Sequence, residues 1–414
     1  MQIKEDSQSS PRRRPLTVDQ YKDVVVGLVS PLKTESVPLA QGLGRVLARD
    51  CEAVLAVPSF DNSAMDGYAV RTEDVRGGQA RLRLIGTLLA GPAEEVILEP
   101  GTAMKIMTGA VIPVGAVTVV PVEDIVVSGV LEESPQDWVH IAGPVPEQHI
   151  RRRGEDTLPG AVVISAGTRL DSADLGAAAA VGHSTIVVRS IPRVGLLTTG
   201  DETVEPGSMP SLGQIPDSNT AYLVAALTRL GAQVTARHVP DCEEDIRLAL
   251  DDFADTQDLI ITVGGISAGD RDLVRDLLQD TGILAKVAMQ PGKPQGCGTW
   301  RNTPLLALPG NPVSVAASTS AFVRPVLEAM TQVNPSSPWH ARVAQTWVSP
   351  GGREQYMPVV VECVNGCLEV RPATQAGSGS HLITSLAKAD AFALIPADVT
   401  HVESGEVVRL MALP

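Results

Sequence analysis

The spacing of apolar and polar positions changes character several times along the chain. After Arg193, short apolar runs alternate with apolar residues at helical spacing. Residues 194–197 read as a strand, and 221–230 as a helix with Leu223, Leu227 and Leu230 on one face. Ile246, Leu250 and Phe253 mark a second helix, and 259–263 is an apolar run short enough for a buried strand. Residues 305–308 lead into a helix carrying Val315, Thr319, Phe322 and Val326 on one stripe. Strands alternating with such helices predict a mostly parallel sheet covered on both faces. Ligands of such sheets bind beyond the carboxyl ends of the strands.

The flanking regions have other textures. Residues 16–50 predict helix, with Thr17 to Asp19 as the cap region and Val24, Leu28 and Leu39 as apolar contacts. Between 51 and 147, short β-like runs (81–89, 103–107, 116–122 and 138–141) alternate with glycine and proline, predicting a small β-rich module. Residues 148–190 hold an arginine island, an apolar run at 161–164 and an alanine-rich helix around 174–181. Helix-flavoured segments on both sides suggest that the module is inserted into a helical N-terminal or linker domain of residues 16–50 and 148–190. An α/β domain over 191–331 follows. The proline- and serine-rich stretch 334–338 reads as a linker into a β domain over 332–414, with runs at 343–348, 356–364, 368–371, 391–395 and 407–411. Residues 1–15 mix both charges with serine and proline and read as a disordered tail.

Composition narrows the function. A chain of 414 residues exceeds one ordinary core. Four Phe, four Trp and four Tyr leave few stacking platforms for single-stranded nucleic acid. A net charge of −15 argues against nucleic acid and acidic membrane surfaces as partners. No run of about 18 apolar residues exists to span a membrane. Five scattered cysteines, with only Cys363 and Cys367 close, fit a reduced cytoplasmic protein.

The strand at 259–263 delivers the loop GGISAGDRD, residues 264–272, to a new helical pattern beginning at Leu273. Gly264, Gly265 and Gly269 let backbone N–H groups approach phosphate oxygens, and a helix start carries partial positive charge. Asp270 and Asp272 oppose a bare anion and imply a metal ion or a hydrogen-bonded ligand group beside it. A capped strand-to-helix turn is the plain alternative. Similar choices attend the other loops. Asp66, in FDNSAMDGYAV (60–70), is a general base, a metal ligand or a turn former. Thr108, in MTGA (107–110), binds a ligand oxygen or merely ends a strand. IRRRGED (150–156) is a surface ion-pair cluster or a phosphate-oriented fork held by its acids. TTGDE (198–202) and PGNPVS (309–314) follow the first and last predicted strands, with Ser314 near a helix start. PGKP (291–294) sets Lys293 on a rigid turn. The seven histidines show no pattern, and His381 beside Ser380 is the one in these loops. There is no HExxH, Walker A or convincing GxGxxG motif, so hydride transfer and metalloprotease chemistry have no support.

Together with GSHL (379–382), these segments resemble the molybdopterin molybdenumtransferase family, the MoeA and gephyrin E-domain proteins. They run in family order from Phe60 to Leu382. GGISAGDRD is also similar to the adenylyltransferases of molybdopterin, whereas FDNSAMDGYAV with IRRRGED is far more specific. The resemblance implies a multidomain α/β plus β protein. Its parts would be a molybdopterin-binding-like sheet domain, the inserted module, an elongated helical N-terminal domain and a C-terminal β-barrel-like domain. It implies the last step of molybdenum cofactor assembly: adenylylated molybdopterin and molybdate react with the help of Mg2+, and AMP leaves. By motif position it implies Asp66, Glu202 and Asp272 as catalytic. Thr108, Arg153, Asp156, Gly264, Gly265, Ser267, Lys286, Lys293, Asn311, Ser314 and Ser380 would bind substrate, and Asp241 and Asp270 would hold Mg2+. A homodimer is implied, with molybdopterin adenylyltransferase and acceptor molybdoenzymes as partners. Two positions depart from the pattern. Gln290 stands where members often carry a lysine, and Met357 and Pro358 stand where an arginine is expected near Tyr356; Arg353 is a candidate substitute. A molybdopterin adenylyltransferase or a gephyrin-like scaffold are the alternative functions.

Overall fold

The computed structural model describes residues 14–125, 138–142, 145–266, 273–278, 282–335 and 337–414. Ser267, Asp270 and Asp272 lie outside the described residues, as does most of the N-terminal tail.

Helix α1 (Val18–Val26) starts at Thr17, whose hydroxyl accepts from the Gln20 N–H while the Gln20 side chain accepts from the Thr17 N–H. This reciprocal pair satisfies two orphan donors. The helix ends at Gly27, far short of the stretch predicted over 16–50. Its Tyr21 and Val25 are buried in the α/β core, with Tyr21 edge-on to Phe322 at 4.8 Å. The chain then forms a strand, β1 (Thr34–Pro38), where helix was predicted. Pro31 and Pro38 are incompatible with a helix interior, and strand pairing supplies the hydrogen bonds instead.

Five strands follow: β2 (Gly67–Val70), β3 (Gln79–Leu88), β4 (Thr102–Ile106), β5 (Thr118–Pro121) and β6 (Trp138–Ala142). They form one sheet in the order β5-β2-β4-β3-β6. Small clusters pack on its two faces, Met104 and Ile106 on one, Ala103 and Val139 on the other. Helix α2 (Ser172–Ala180) and strand β7 (Thr185–Arg189) come next, and β7 pairs antiparallel with β1. A separate core joins Leu47 and Cys51 to Ile164, Ala178 and Ile186, so segments on either side of the five-stranded sheet pack together.

The α/β region contains β8 (Arg193–Thr199), α3 (Ser218–Arg229), β9 (Gln233–Val239), α4 (Glu243–Thr256), β10 (Leu259–Val263), α5 (Leu273–Leu278), β11 (Gly282–Lys286), β12 (Pro294–Trp300), β13 (Thr303–Leu308), α6 (Pro312–Ser318) and α7 (Arg324–Thr331). Sheet order is β9-β8-β10-β13-β12-β11. The first four strands are parallel, and the last two are antiparallel additions. Arg301 and Asn302, both at positive φ, form the tight turn that folds β12 back on β13. Helices α1, α3, α6 and α7 cover one face, and α4 and α5 the other. Gly195 in β8 is a packing requirement: a Cβ there would stand 2.5 Å from the Phe253 ring of α4.

The last region is a closed barrel of β14 (Trp339–Val343), β15 (Glu354–Val364), β16 (Cys367–Pro372), β17 (Ala391–Ile395) and β18 (Val407–Ala412). Order β15-β16-β14-β18-β17 returns to β15, which removes free edges. Met289 and Gln290 pair in parallel with Glu354 and Gln355, so the α/β region adds a short strand to the barrel. Met357, at the family's arginine position, is 2% exposed in the barrel core, and Arg353 is half-buried. Cys363 pairs with Leu368 and Cys367 with Val364 across the hairpin, so the two thiols point to opposite faces. All five cysteines are free. No helix among the described residues is long and apolar enough to cross a membrane.

Candidate active site

The predicted site residues fall into two groups. The first is assembled by three loops of the N-terminal half. Asn62 and Ser63 pair antiparallel with Arg151 and Ile150, while Ser63 exchanges backbone hydrogen bonds with Gly109 and Ala110. FDNSAMDGYAV, MTGA and IRRRGED are thereby drawn into one cluster. The Asp66 carboxylate accepts from the Thr108 N–H at 2.7 Å and from its hydroxyl at 2.8 Å. The next residue must be glycine, because a Cβ on Gly67 would lie 2.2 Å from the Val120 carbonyl oxygen. The Thr108 N–H first, then its hydroxyl, hold the Asp66 carboxyl below the usual carboxylate range, with a smaller contribution from Lys105. A carboxylate held low is a weak proton acceptor at neutral pH and a good fixed anion.

Asp61 organises the arginine island. It accepts from the Arg153 N–H at 2.7 Å and from Arg152 Nη1 at 2.8 Å, and the Arg153 N–H is the larger cause of its lowered pKa. The acids predicted to brace the fork act differently. Glu155 accepts from the Arg152 N–H at 3.0 Å, and Asp156 is placed by its N–H donating to the Val57 carbonyl at 3.0 Å. The Arg153 and Asp156 side chains remain exposed.

The second group lines a pocket of about 490 Å3 at the carboxyl edge of the α/β sheet. Glu202, Asp241, Gly264, Gly265, Asn311 and Ser314 meet there. Gly200, at φ 137°, turns the chain so that Glu202 folds back over it. Asp201 and Asp241 each accept from the other's backbone N–H, at 3.2 and 3.4 Å. Gly264 and Gly265 have φ of 95° and 64°, and a Cβ on Gly310 would touch Gly264 Cα at 3.6 Å, so two loops meet through glycine. Sequence reading missed Asp217 and Asn219. Asp217 caps α3 through the Thr220 N–H at 3.0 Å. Asn219 donates from Nδ2 to the Gly310 carbonyl at 2.7 Å and fixes PGNPVS. Asp217, four residues after a glycine and just before a helical run, carried an N-cap signal.

Ser380, Lys286 and Lys293 border this pocket without lining it. The Ser380 carbonyl accepts from the Val313 N–H at 2.9 Å, bringing GSHL to the start of α6. Lys286 pairs in register with Pro294, which lines the pocket, and the Val287 N–H bonds the Lys293 carbonyl at 2.8 Å. Both lysines are exposed. Among the described residues the lining holds three carboxylates, of Glu202, Asp217 and Asp241, and no lysine or arginine. No group of three or more His, Cys, Asp or Glu is placed to hold a metal among the described residues. Asp66, Thr108, Arg153 and Asp156 are not part of this lining.

A doubly covered α/β sheet with glycine-rich loops at its carboxyl edge, joined to a β module and a closed barrel, defines a multidomain enzyme with a polar small-molecule site. Three family models match it: the MoeA N-terminal region (domain I and II) over residues 16–182, a probable molybdopterin binding domain over 195–329, and the MoeA C-terminal region (domain IV) over 340–413. Molybdopterin molybdenumtransferase 2 of Mycobacterium tuberculosis is 38% identical over 96% of this chain and 99% of its own length. The molybdopterin molybdenumtransferase of Synechococcus elongatus is 34% identical over 92% of this chain and 95% of its own. The crystal structure of a molybdopterin biosynthesis moeA protein from Pyrococcus horikoshii aligns with a TM-score of 0.82 at 27% identity, covering 96% of this chain and all of that one. The chain belongs to the molybdopterin molybdenumtransferase family, and it is a transferase.

Proposed function

We propose that the protein inserts molybdenum into adenylylated molybdopterin, taking molybdate and releasing AMP, as a cytoplasmic step of molybdenum cofactor synthesis. The observation that carries this reading is the split site. The described lining, with three carboxylates and no cation among the described residues, is unsuited to a diphosphate on its own. The exposed Arg153 supplies positive charge from the other group, beside the polar Asp66–Thr108 pair and Asp156. Asp241 and Glu202 offer oxygen donors suited to Mg2+, which typically binds one or two carboxylates together with substrate phosphates. Such an ion would neutralise phosphate charge as AMP departs. The glycines at 264 and 265 admit close backbone approach, and Asn311, Ser314 and Ser380 add polar contacts at the start of α6. Handing the product to acceptor molybdoenzymes, and receiving substrate from a molybdopterin adenylyltransferase, belong to the same reading.

The test is product analysis with and without molybdate. Molybdate-dependent release of AMP together with cofactor formation supports the proposal. Consumption of ATP with molybdopterin points to an adenylyltransferase, and neither activity points to a scaffold. Lys293→Ala is expected to raise the molybdate concentration needed for half-maximal rate by about tenfold, the loss of one charge-assisted hydrogen bond, with smaller change in pterin binding. Impaired pterin binding with unaltered molybdate dependence would assign Lys293 to the other ligand.

The split site is completed in a homodimer. Among the exposed apolar residues are Val54 and Leu55 beside Gly182, Val162 on the strand paired with Glu52, and Met209 and Leu212 on the loop whose base lines the pocket. Met209 is 94% and Leu212 105% exposed. In a two-fold dimer these residues of one chain are free to meet those of its partner, bringing Asp66 toward the Glu202 pocket across the interface. Mixing inactive Asp66→Asn with inactive Glu202→Gln protein, followed by subunit exchange, restores part of the activity because each heterodimer holds one intact site. Heterodimers with no activity, formed from folded single variants, would refute the shared site.

A further inference from the structure

A second cleft lies at the opposite end of the α/β sheet, where α3 ends and before β9 begins. It measures about 290 Å3 and is walled by Arg169, Arg229, Arg324, Glu328, Val333 and Asn334. Three guanidinium groups face one carboxylate, in a chain whose net charge is −15.

Part of this arrangement is a structural latch. Arg169 donates from Nη1 to the Gly44 carbonyl at 3.0 Å and from Nη2 to the Leu230 carbonyl at 3.1 Å. It lies against Gly231, where a Cβ would stand 2.6 Å from Nη1. It therefore answers the partial negative charge at the end of α3 and ties the N-terminal region to it. Arg324 donates from Nη2 to the Ala412 carbonyl at 2.7 Å.

The latch leaves donors over. Arg324 lines the cleft with only its Nη2 hydrogen-bonded among the described residues, whereas its Nε and the Tyr222 hydroxyl are sealed from solvent and out of a ligand's reach. The exposed Arg229 side chain makes no hydrogen bond or contact ion pair with any described residue. Burial first, and repulsion from Arg229 as a lesser cause, lower the Arg324 pKa, while Glu328 opposes both. Burial also pushes the Glu328 carboxyl up, against the pull of Arg324 and Arg169, and it is one carboxylate against three guanidinium groups among the described lining residues. Three guanidinium groups around one cleft, with the Arg229 side chain unpaired among the described residues, call for an acceptor that carries negative charge.

We propose that this cleft binds a small, multiply charged tetrahedral oxyanion of the phosphate type, held by Arg229 and Arg324 and flanked by Arg169. The volume suits an anion of that size and is small for a nucleotide. Bound there, the anion would fasten the segment around Arg169 to α3 and α7, remote from the transfer pocket. The inference stands apart from the proposed transferase chemistry.

Titration calorimetry with inorganic phosphate, sulfate and molybdate, each at fixed ionic strength against a chloride control, tests it. Saturable binding is expected. Arg229→Gln should weaken it about tenfold and leave turnover unchanged, whereas Glu328→Gln should strengthen it. Ranking of the three anions identifies the source, a store of molybdate or a phosphate-type effector. Molybdate heat that survives Arg229→Gln belongs to the transfer pocket. Phosphate and sulfate giving no saturable heat, or an affinity unmoved by Arg229→Gln, would overturn the proposal.

Discussion

Asp66→Asn is expected to reduce cofactor formation by roughly 100-fold or more while lowering the melting temperature only slightly. The scale is that of removing one fixed charge or donor from a preorganised site. Asparagine keeps the size and the acceptor oxygen, so both donors of Thr108 stay satisfied. The charge alone is lost. Because the side chain is exposed, little packing is disturbed. The lowered carboxyl also fixes a pH expectation. A depressed carboxylate contributes stability that is present above its unfolded pKa and is lost as pH falls through the folded value. Asp66 therefore stays ionised across the neutral range, and any acid limb of activity near pH 6 belongs to another group. Thr108→Val removes the hydroxyl bond, keeps the stronger N–H bond, and should return the Asp66 pKa only part of the way. Wild-type turnover in folded Asp66→Asn protein would remove Asp66 from the mechanism.

Phe322→Ala is expected to lower the free energy of unfolding by about 3–5 kcal/mol, the usual cost of deleting a buried aromatic side chain. Phe322 is fully buried in the wide helical turn Thr319–Val323 between α6 and α7, and it meets Tyr21 of α1 edge-on at 81°. Its loss empties the junction that holds the N-terminal helix to the α/β core. Tyr21→Phe keeps the ring and deletes only the hydroxyl that bonds the Cys297 thiol, so it should cost about 1 kcal/mol. Denaturant unfolding separates the two, and a midpoint unmoved by Phe322→Ala would show that α1 is held by other contacts.

What was legible in the sequence follows from how local each signal is. The strands at Arg193–Thr199, Leu259–Val263 and Thr303–Leu308 announce themselves because the central positions are apolar on both faces. β11 and β12 do not. Gly282–Lys286 is partly exposed, and Pro294–Trp300 carries two glycines and a buried glutamine, Gln295, whose amide bonds Ser318. Pairing with β13 makes those segments strands, and pairing is a tertiary fact. Apolar spacing continues past Gly27 and so predicts a longer helix than the one that ends there, while Pro31 and Pro38 keep a helix from resuming beyond it. Within the site, glycine-rich loops were readable as places of close approach. The bonds from Arg152 and Arg153 to Asp61 were not, since their partners stand 91 and 92 residues apart.

The short strand at Met289 and Gln290 has a consequence for synthesis of the protein. It pairs with Glu354 and Gln355, and the Glu354 N–H donates to the Ala288 carbonyl at 2.8 Å. The turn bearing Lys293 therefore rests on a strand that leaves the ribosome much later than the turn itself. Vectorial folding can finish the α/β sheet early. The lysine-bearing turn beside the pocket takes its final form only when the barrel has closed, so a chain interrupted in the last region would hold a nearly complete sheet with an unsupported rim.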